Sequence, residues 1–293
     1  MSETIFSDTT TLRGPVYPRN NDNYQRSART RPLVFLIRAR INAQIELQRF
    51  STGDIGVMTH TAAVKMDSTR LVSVSKRDAQ QTAVARCACY AAVSELVCSP
   101  HDLDPRESLS EKIQGDKIDI GITLDYADGL NSLLKEFVEL DLDRLKHEYS
   151  SLFEVGSDGP PCPIREDLQT GQRAGTREDL VRFYNFFNYK LEDKFAWAPD
   201  HLSVELEFMH FLCYLEASDA ANAVSYQLAQ ADFSARHLVR WVPGLANSVA
   251  NTSPDSIYYR AIDSIEKFLV ADYAWQSGTI VTEDKTTQAE ADD

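Results

Sequence analysis

The stretch PDHLSVELEFMHFLCYLEASD, residues 199–219, decides the fold class. Leu202, Leu206, Met209 and Cys213 recur at helical spacing, and Phe208, Leu212 and Leu215 lay a second apolar stripe beside them. A helix with two stripes has to be covered on more than one side, so it is read as the central helix of an all-α domain. Asp200, just before the first apolar residue, is read as its N-cap.

The same period extends in both directions. Toward the N-terminus, residues 77–98 carry Ala79, Ala83, Cys87, Tyr90, Ala91 and Leu96, with Pro100 just past the end. Leu130, Leu133, Leu134, Phe137, Val138, Leu145, Tyr149, Leu152 and Phe153 form one broad face, read as a single helix. Thr176 with Asp179 reads as a capping box before Leu180, Phe183, Tyr184 and Phe187. Beyond the central helix, Ser218 reads as the cap of a segment through Val224, Leu228 and Ala231, running on through Phe233, Leu238 and Trp241 until Pro243. Ser253 before Pro254 reads as the N-cap of a last helix bearing Tyr258, Ile262, Ile265 and Leu269. Only Lys117 to Asp125 alternates like a strand, and one short strand builds no sheet, so it is read as an extended connector.

This predicts one helical-bundle domain over 76–276. Residues 1–75 read as an extension, partly disordered, with one amphipathic basic helix between Pro32 and Phe50 that interleaves Leu33, Leu36, Ile37, Ile41 and Ile45 with Arg38, Arg40 and Arg49. Residues 277–293 read as a disordered acidic tail.

The 293 residues have a formal charge of 30 − 44 = −14, unevenly spread. Residues 1–77 hold 12 basic and 6 acidic side chains, net +6, which leaves 18 against 38, net −20, for the rest. So acidic a body argues against nucleic-acid binding, which needs clustered Lys and Arg. No run of about 18 apolar residues is present to span a membrane. The N-terminus lacks a basic-then-apolar secretion layout, and five cysteines at spacings that match no zinc pattern suit reduced thiols, so a cytoplasmic chain is expected.

Catalytic patterns are scarce. Glu207 and His210 form one Glu-x-x-His unit, half of what a di-iron bundle uses, and no second copy occurs. A metal-binding helical oxidoreductase around that pair stays a rival reading. There is no Gly-x-Ser-x-Gly, no phosphate-cradling Gly-rich loop and no His-Glu-x-x-His, so a non-enzyme is expected. Two other places draw notice. EYSSLFEVGSDGPPCPIRED (148–167) ends a helix and turns through glycines and prolines, which makes either a connector or a rigid peptide-docking ledge with free backbone groups. WAPDHLSVELEFM (197–209) sets Asp200 and His201 at a helix mouth, either as plain cap and surface residue or as a carboxylate and imidazole that meet an arginine or a peptide backbone.

Together these segments resemble the redox-enzyme maturation chaperones of the TorD, DmsD and NarJ family. The resemblance rests on Tyr149-x-x-Leu152-Phe153, the Gly-Pro-Pro loop after it, Pro-Asp-His opening a long Leu/Glu/Phe/Met helix, DFSARHLVRWVP (232–243) and SIYYRAIDSIEKFL (256–269). Cys162, Pro163, Arg165, Glu166 and Asp167 after the proline pair, with VRFYNFF and HLSVELEFMHFL, are most similar to the delta or D subunits that serve dimethyl-sulfoxide-reductase-type molybdoenzymes, among them ethylbenzene dehydrogenase, dimethylsulfide dehydrogenase, selenate reductase and chlorate reductase. The resemblance implies a cytoplasmic chaperone that binds the apo catalytic (alpha) subunit of a molybdenum oxidoreductase, with its twin-arginine leader, and keeps it open for insertion of the molybdenum cofactor. The chaperone itself would hold no cofactor stably. The family's Glu-Pro-x-Asp-His motif falls on Trp197 to His201, where Asp200 and His201 match and the first two positions differ.

A leader of this kind presents arginines beside an apolar segment, so its receptor should combine carboxylates with apolar walls. The expected client-binding residues are therefore Glu148, Tyr149, Leu152, Phe153, Pro160, Pro161, Trp197, Asp200, His201, Glu205 and Trp241, with Glu166 and Asp167 as further carboxylates. An acidic scaffold that binds an unrelated basic helix is the other alternative.

Overall fold

The computed structural model describes residues 71–73, 79–114, 124–127, 129–171, 175–191 and 197–282. The chain divides into two units, Met1–Asp54 and Ile55–Asp293, and every described residue belongs to the second. The basic helix read at 32–50, most of the alternating run at 117–125 and the tail beyond 282 lie outside the described residues.

Among the described residues the fold is all-α with one small ribbon. The strand β1 (Leu71–Ser73) is followed by α1 (Ala79–Leu96), α2 (Pro105–Gln114), α3 (Leu130–Glu139), α4 (Leu142–Phe153), α5 (Glu166–Gln169), α6 (Thr176–Phe186) and α7 (Leu202–Ser218). After these come α8 (Ala223–Phe233), α9 (Val239–Thr252), α10 (Ile257–Thr279) and β2 (Ile280–Thr282). β1 pairs antiparallel with β2, Leu71 opposite Thr282. The ribbon thus joins a piece of the predicted extension to a piece of the predicted tail, and α10 runs past the boundary expected at 276.

The central helix is α7. Leu202, Leu206, Phe208, Met209, Leu212 and Cys213 are buried on different sides of it. Its chief neighbour is α1, whose Ala and Cys side chains let the two backbones approach: His210 Nδ1 lies 2.9 Å from the Cys87 carbonyl and 3.3 Å from its sulfur. This interhelical contact occupies the histidine of the Glu-x-x-His unit, and among the described residues no three His, Cys, Asp or Glu side chains are arranged to hold a metal ion. α8 packs on α7, and α9 on α10. Two aromatic clusters fill the spaces between helices. Tyr149, Phe153 and Phe137 surround Tyr258 in edge-to-face contacts of 5.5–6.0 Å, and Phe208 meets Tyr184, Tyr189 and Phe233 at 4.9–5.3 Å.

Several expected helix ends fall elsewhere. The broad face at 130–153 is two helices, because Asp141 caps α4 by accepting the Arg144 amide at 3.0 Å. Thr176 and Asp179 make no capping box: left-handed Gly175 starts α6, and Asp179 turns to Arg236 and His237. Ser218 is the last residue of α7 and bonds back to the Tyr214 carbonyl, and α8 begins after a 3₁₀ turn at Ala220–Asn222. Ser256, not Ser253, satisfies the first turn of α10, accepting from the Tyr258 amide at 3.1 Å. Pro243 lies inside α9 and does not end it. A π turn, Ser234–Leu238, lies between α8 and α9, and its wider ring of backbone bonds directly precedes the turn that takes the proline.

One polar network is centred on a fully buried ion pair, with Tyr126 half-buried at its edge. The Asp272 carboxylate of α10 accepts from Arg86 Nε and Nη2 at 2.6 and 2.9 Å, Tyr90 OH at 2.7 Å, Tyr126 OH at 2.8 Å and Gln276 Nε2 at 2.6 Å. Arg86 also reaches Glu216 and Gln230, and its guanidinium lies 5.1 Å from the Trp275 ring centre. Helices α1, α7, α8 and α10 are thereby joined through one buried cation.

Candidate functional site

The loop after α4 folds tightly. A Cβ at Gly156 would meet the Gly159 carbonyl oxygen, and Gly159 adopts φ +107°. The Cys162 amide donates to the Leu152 carbonyl at 2.9 Å, so the loop is bonded to the helix it leaves rather than open along its backbone. It then runs antiparallel to the entrance of α7: the Glu166 amide donates to the Asp200 carbonyl at 2.9 Å and the Leu202 amide to the Ile164 carbonyl at 3.1 Å. Residues far apart in the sequence, 164–167 and 197–202, thereby meet at one place.

Asp200 sits at 0% exposure and does not cap its own helix. Its carboxylate accepts from Arg165 Nη2 at 2.9 Å, stands 3.3 Å from Arg165 Nε and from the Asp167 amide, and lies 3.6 Å from Arg177 Nε. It therefore caps the start of α5, a helix too short to sustain itself. Burial works against its charge, but bonds from Asp167 and Arg165 outweigh burial and hold the carboxyl below its usual range. Asp167 goes the other way, raised to about 6 by burial and by the neighbouring Asp200.

His201 is the N-cap of α7. Its Nδ1 accepts from the Ser203 amide at 3.2 Å, so Nε2 carries the hydrogen that faces Tyr149 OH at 3.0 Å. Burial pushes the imidazole down to about 4, so it is neutral at ordinary pH. The ring is a joint between α4 and α7.

Beneath α5 lies a second set of polar groups. Glu166 Oε2 is 2.8 Å from His237 Nδ1, and His237 Nε2 is 3.3 Å from Asp179. The π turn brings His237 to this position. Trp241 Nε1 donates to Glu205 Oε2 at 3.1 Å, while Glu205 Oε1 is buried without a hydrogen bond. Burial and the adjacent Glu166 charge raise the Glu205 carboxyl well above its usual value. The folded state thus binds that proton more tightly than the unfolded chain. The stability it contributes is full below about pH 4.5 and is lost as pH rises toward the folded value. Glu205→Gln is expected to gain stability over the parent progressively from pH 5 to pH 8 in urea unfolding, and equal midpoints at both pH values would contradict a protonated Glu205.

The eleven expected site residues separate into distinct groups. Trp197 is 65% exposed, its ring centre 5.5 Å from the Arg165 guanidinium, and that guanidinium links it to Asp200, which lies buried beneath. Glu205 and Trp241 are paired in the interior. Glu148 is committed to α10, accepting from Ser256 Oγ at 2.6 Å and the Ile257 amide at 3.2 Å. Tyr149, Leu152 and Phe153 are core, so Tyr149, Phe153 and Trp241 form no surface wall. Pro160 and Pro161 stay on the accessible loop. Arg165, Arg177, Asp179, Arg236 and His237 were absent from the expected set, although Arg236 and His237 lie in the quoted DFSARHLVRWVP run.

The site is thus an acidic, arginine-bearing mouth at the start of the central helix. Residues 123–247 match the family model described as nitrate reductase delta subunit. The chain is 34% identical over 125 residues to the chlorate reductase assembly chaperone protein of Ideonella dechloratans, a match spanning 41% of this chain and 65% of that protein. It is also 34% identical over 121 residues to the selenate reductase assembly chaperone protein of Thauera selenatis, over 40% of this chain and 62% of the relative. The matches therefore span somewhat under two thirds of each relative's length. Among solved structures, a candidate redox enzyme maturation protein from Archaeoglobus fulgidus aligns over 62% of this chain and 93% of its own, with TM-score 0.39 and 22% identity.

Proposed function

We propose that the chain is a non-catalytic, system-specific assembly chaperone. It binds the apo catalytic subunit of a molybdenum oxidoreductase in the cytoplasm, including its twin-arginine leader, and keeps it competent for insertion of the molybdenum cofactor. Its relatives bear the names of chlorate and selenate reductase assembly chaperones, and the structure supplies chemistry suited to such a client. The observation that carries the reading is Trp197, an exposed indole whose ring lies 5.5 Å from a guanidinium, Arg165, that the Asp200 carboxylate holds. An arginine-bearing peptide with an apolar flank needs that pairing: bidentate acceptors for guanidinium and an aromatic face for stacking.

The test is titration calorimetry of the full chain with a synthetic leader, alongside co-purification of the catalytic subunit from cells that express both. Trp197→Ala is expected to weaken leader binding roughly three- to thirtyfold, the range of one lost cation–π and apolar contact. Because Asp167 gains its charge as pH rises through about 6, binding is expected to be tighter at pH 7.5 than at pH 5. A leader that binds parent and Trp197→Ala equally, with no pH dependence, would remove the site assignment.

A further inference from the structure

The acidic mouth already holds two arginines. Arg165 and Arg177 both address Asp200, one by a hydrogen bond of 2.9 Å and the other by an ion-pair distance of 3.6 Å. Both also use Trp197, Arg165 over its ring at 5.5 Å and Arg177 Nη2 donating to its carbonyl at 2.6 Å. A guanidinium pair set on this carboxylate and indole is the pairing that the proposed leader would itself make.

Three features show this pairing to be replaceable. First, it is imperfect. Arg177 Nε and Asp167 Oδ1 are buried without a hydrogen bond, and the nearest opposite charges stand at 3.6 and 3.5 Å, beyond the 2.7–2.9 Å of a good charge-assisted bond. Second, both arginines are badly placed for their own helices. Arg165 is the N-cap of α5 and Arg177 the second residue of α6, at helix ends where the backbone dipole disfavours a cation. Third, Arg177 has an exit, its side chain being 43% exposed. Local helix chemistry does not call for arginine at either position, so their partner at the mouth is what gives them a role.

On the reading of this mouth as the leader site, we propose that Arg165 and Arg177 are resident surrogates for the client's arginine pair. They neutralise Asp200 and Asp167 while no client is present, and the client's guanidinium groups exchange for them on binding. Affinity is then a difference between two similar pairings, which favours a ligand able to replace both arginines with better geometry. Lysines, as point charges without a planar fork, replace them poorly.

The test uses the full chain and synthetic leaders with either an Arg-Arg or a Lys-Lys pair, titrated into the parent, Arg177→Gln, Arg165→Gln and Arg182→Gln. Arg182 is an exposed residue of the same helix, and its replacement removes the same charge away from Asp200. Arg177→Gln is expected to bind the Arg-Arg leader roughly two- to fivefold tighter than the parent, the range of a partly exposed ion pair. Its discrimination against Lys-Lys should narrow, and Arg182→Gln should stay near the parent. Arg165→Gln should tighten binding further if its circular dichroism matches the parent, and if it does not fold, Arg177→Gln alone decides. Equal or weaker binding by Arg177→Gln overturns the surrogate role, as does equal tightening by Arg182→Gln, which would be bulk charge. In either case a leader that still binds the parent leaves the chaperone reading intact, whereas a leader that binds none of the four chains removes that reading and this inference together.

Discussion

Asp272→Ala is expected to lower the melting temperature by roughly 6–20 °C. The range comes from about 3–5 kcal/mol for a broken buried ion pair and about 2–4 °C per kcal/mol in a domain this size. The carboxylate accepts from Arg86, Tyr90, Tyr126 and Gln276, so its removal takes the acceptor from three polar groups and leaves the buried Arg86 cation with Gln230 and the longer contact to Glu216 alone. The joint replacement Arg86→Met with Asp272→Leu should recover part of the loss, because no cation is then left beside a missing acceptor, while Glu216 keeps its bonds from Gln227 and Gln230. A thermal melt followed by circular dichroism measures both, and a loss below 2 °C for Asp272→Ala would mean that the pair adds nothing to the packed helices. The pH dependence has a definite sign. Burial opposes the Asp272 charge, but Arg86 outweighs it and depresses the folded value, so this stability is present above about pH 4 and is lost as pH falls below it.

Asp200→Asn is expected to weaken leader binding at least about tenfold, a hydrogen bond to a charged group being worth about 1.5–3 kcal/mol. Asparagine keeps an acceptor for the Asp167 amide, so α5 should persist while the charge is lost. His201→Ala should behave in the opposite way. It removes the α7 cap and the joint to Tyr149, and should cost stability of about 0.5–2 kcal/mol with leader affinity nearly unchanged once folded. Calorimetry and melting on both variants separate the two roles, and a pattern reversed between the two residues would sink the assignment of Asp200 to recognition and His201 to structure.

The contrast between these neighbours shows what a sequence reading can reach. The two apolar stripes of 199–219 reveal a central helix because burial on several sides leaves a periodic trace. The adjacent Asp and His reveal a helix mouth for the same reason, being local. What Asp200 caps is not local: its partner helix begins at Glu166, and no spacing along the chain links the two. Glu148 looked like a site carboxylate because it stands beside Tyr149, yet it is taken up by the start of α10, more than a hundred residues later. Tyr149, Leu152 and Phe153 fit a binding motif and a core stripe equally well, and burial decides for the core. Capping by Thr176, Ser218 and Ser253 failed for one shared reason: a hydroxyl near a helix end competes with glycine, 3₁₀ turns and back-bonding to the preceding turn, and sequence does not rank them. Arg177 left no trace, since an arginine in a first turn is unremarkable until its carboxylate is seen.

The π turn at Ser234–Leu238 adds one residue to what is otherwise a continuous helix from Ala223 to Thr252. Each residue of a helix turns the following side chains by about 100°. A chain with one residue fewer there could keep the same helix length and apolar content and yet aim its histidine away from Glu166 and its tryptophan away from Glu205. In a comparison of relatives, a single gap in this stretch therefore carries more meaning than many substitutions, because it separates chains that can clasp α5 from chains that cannot.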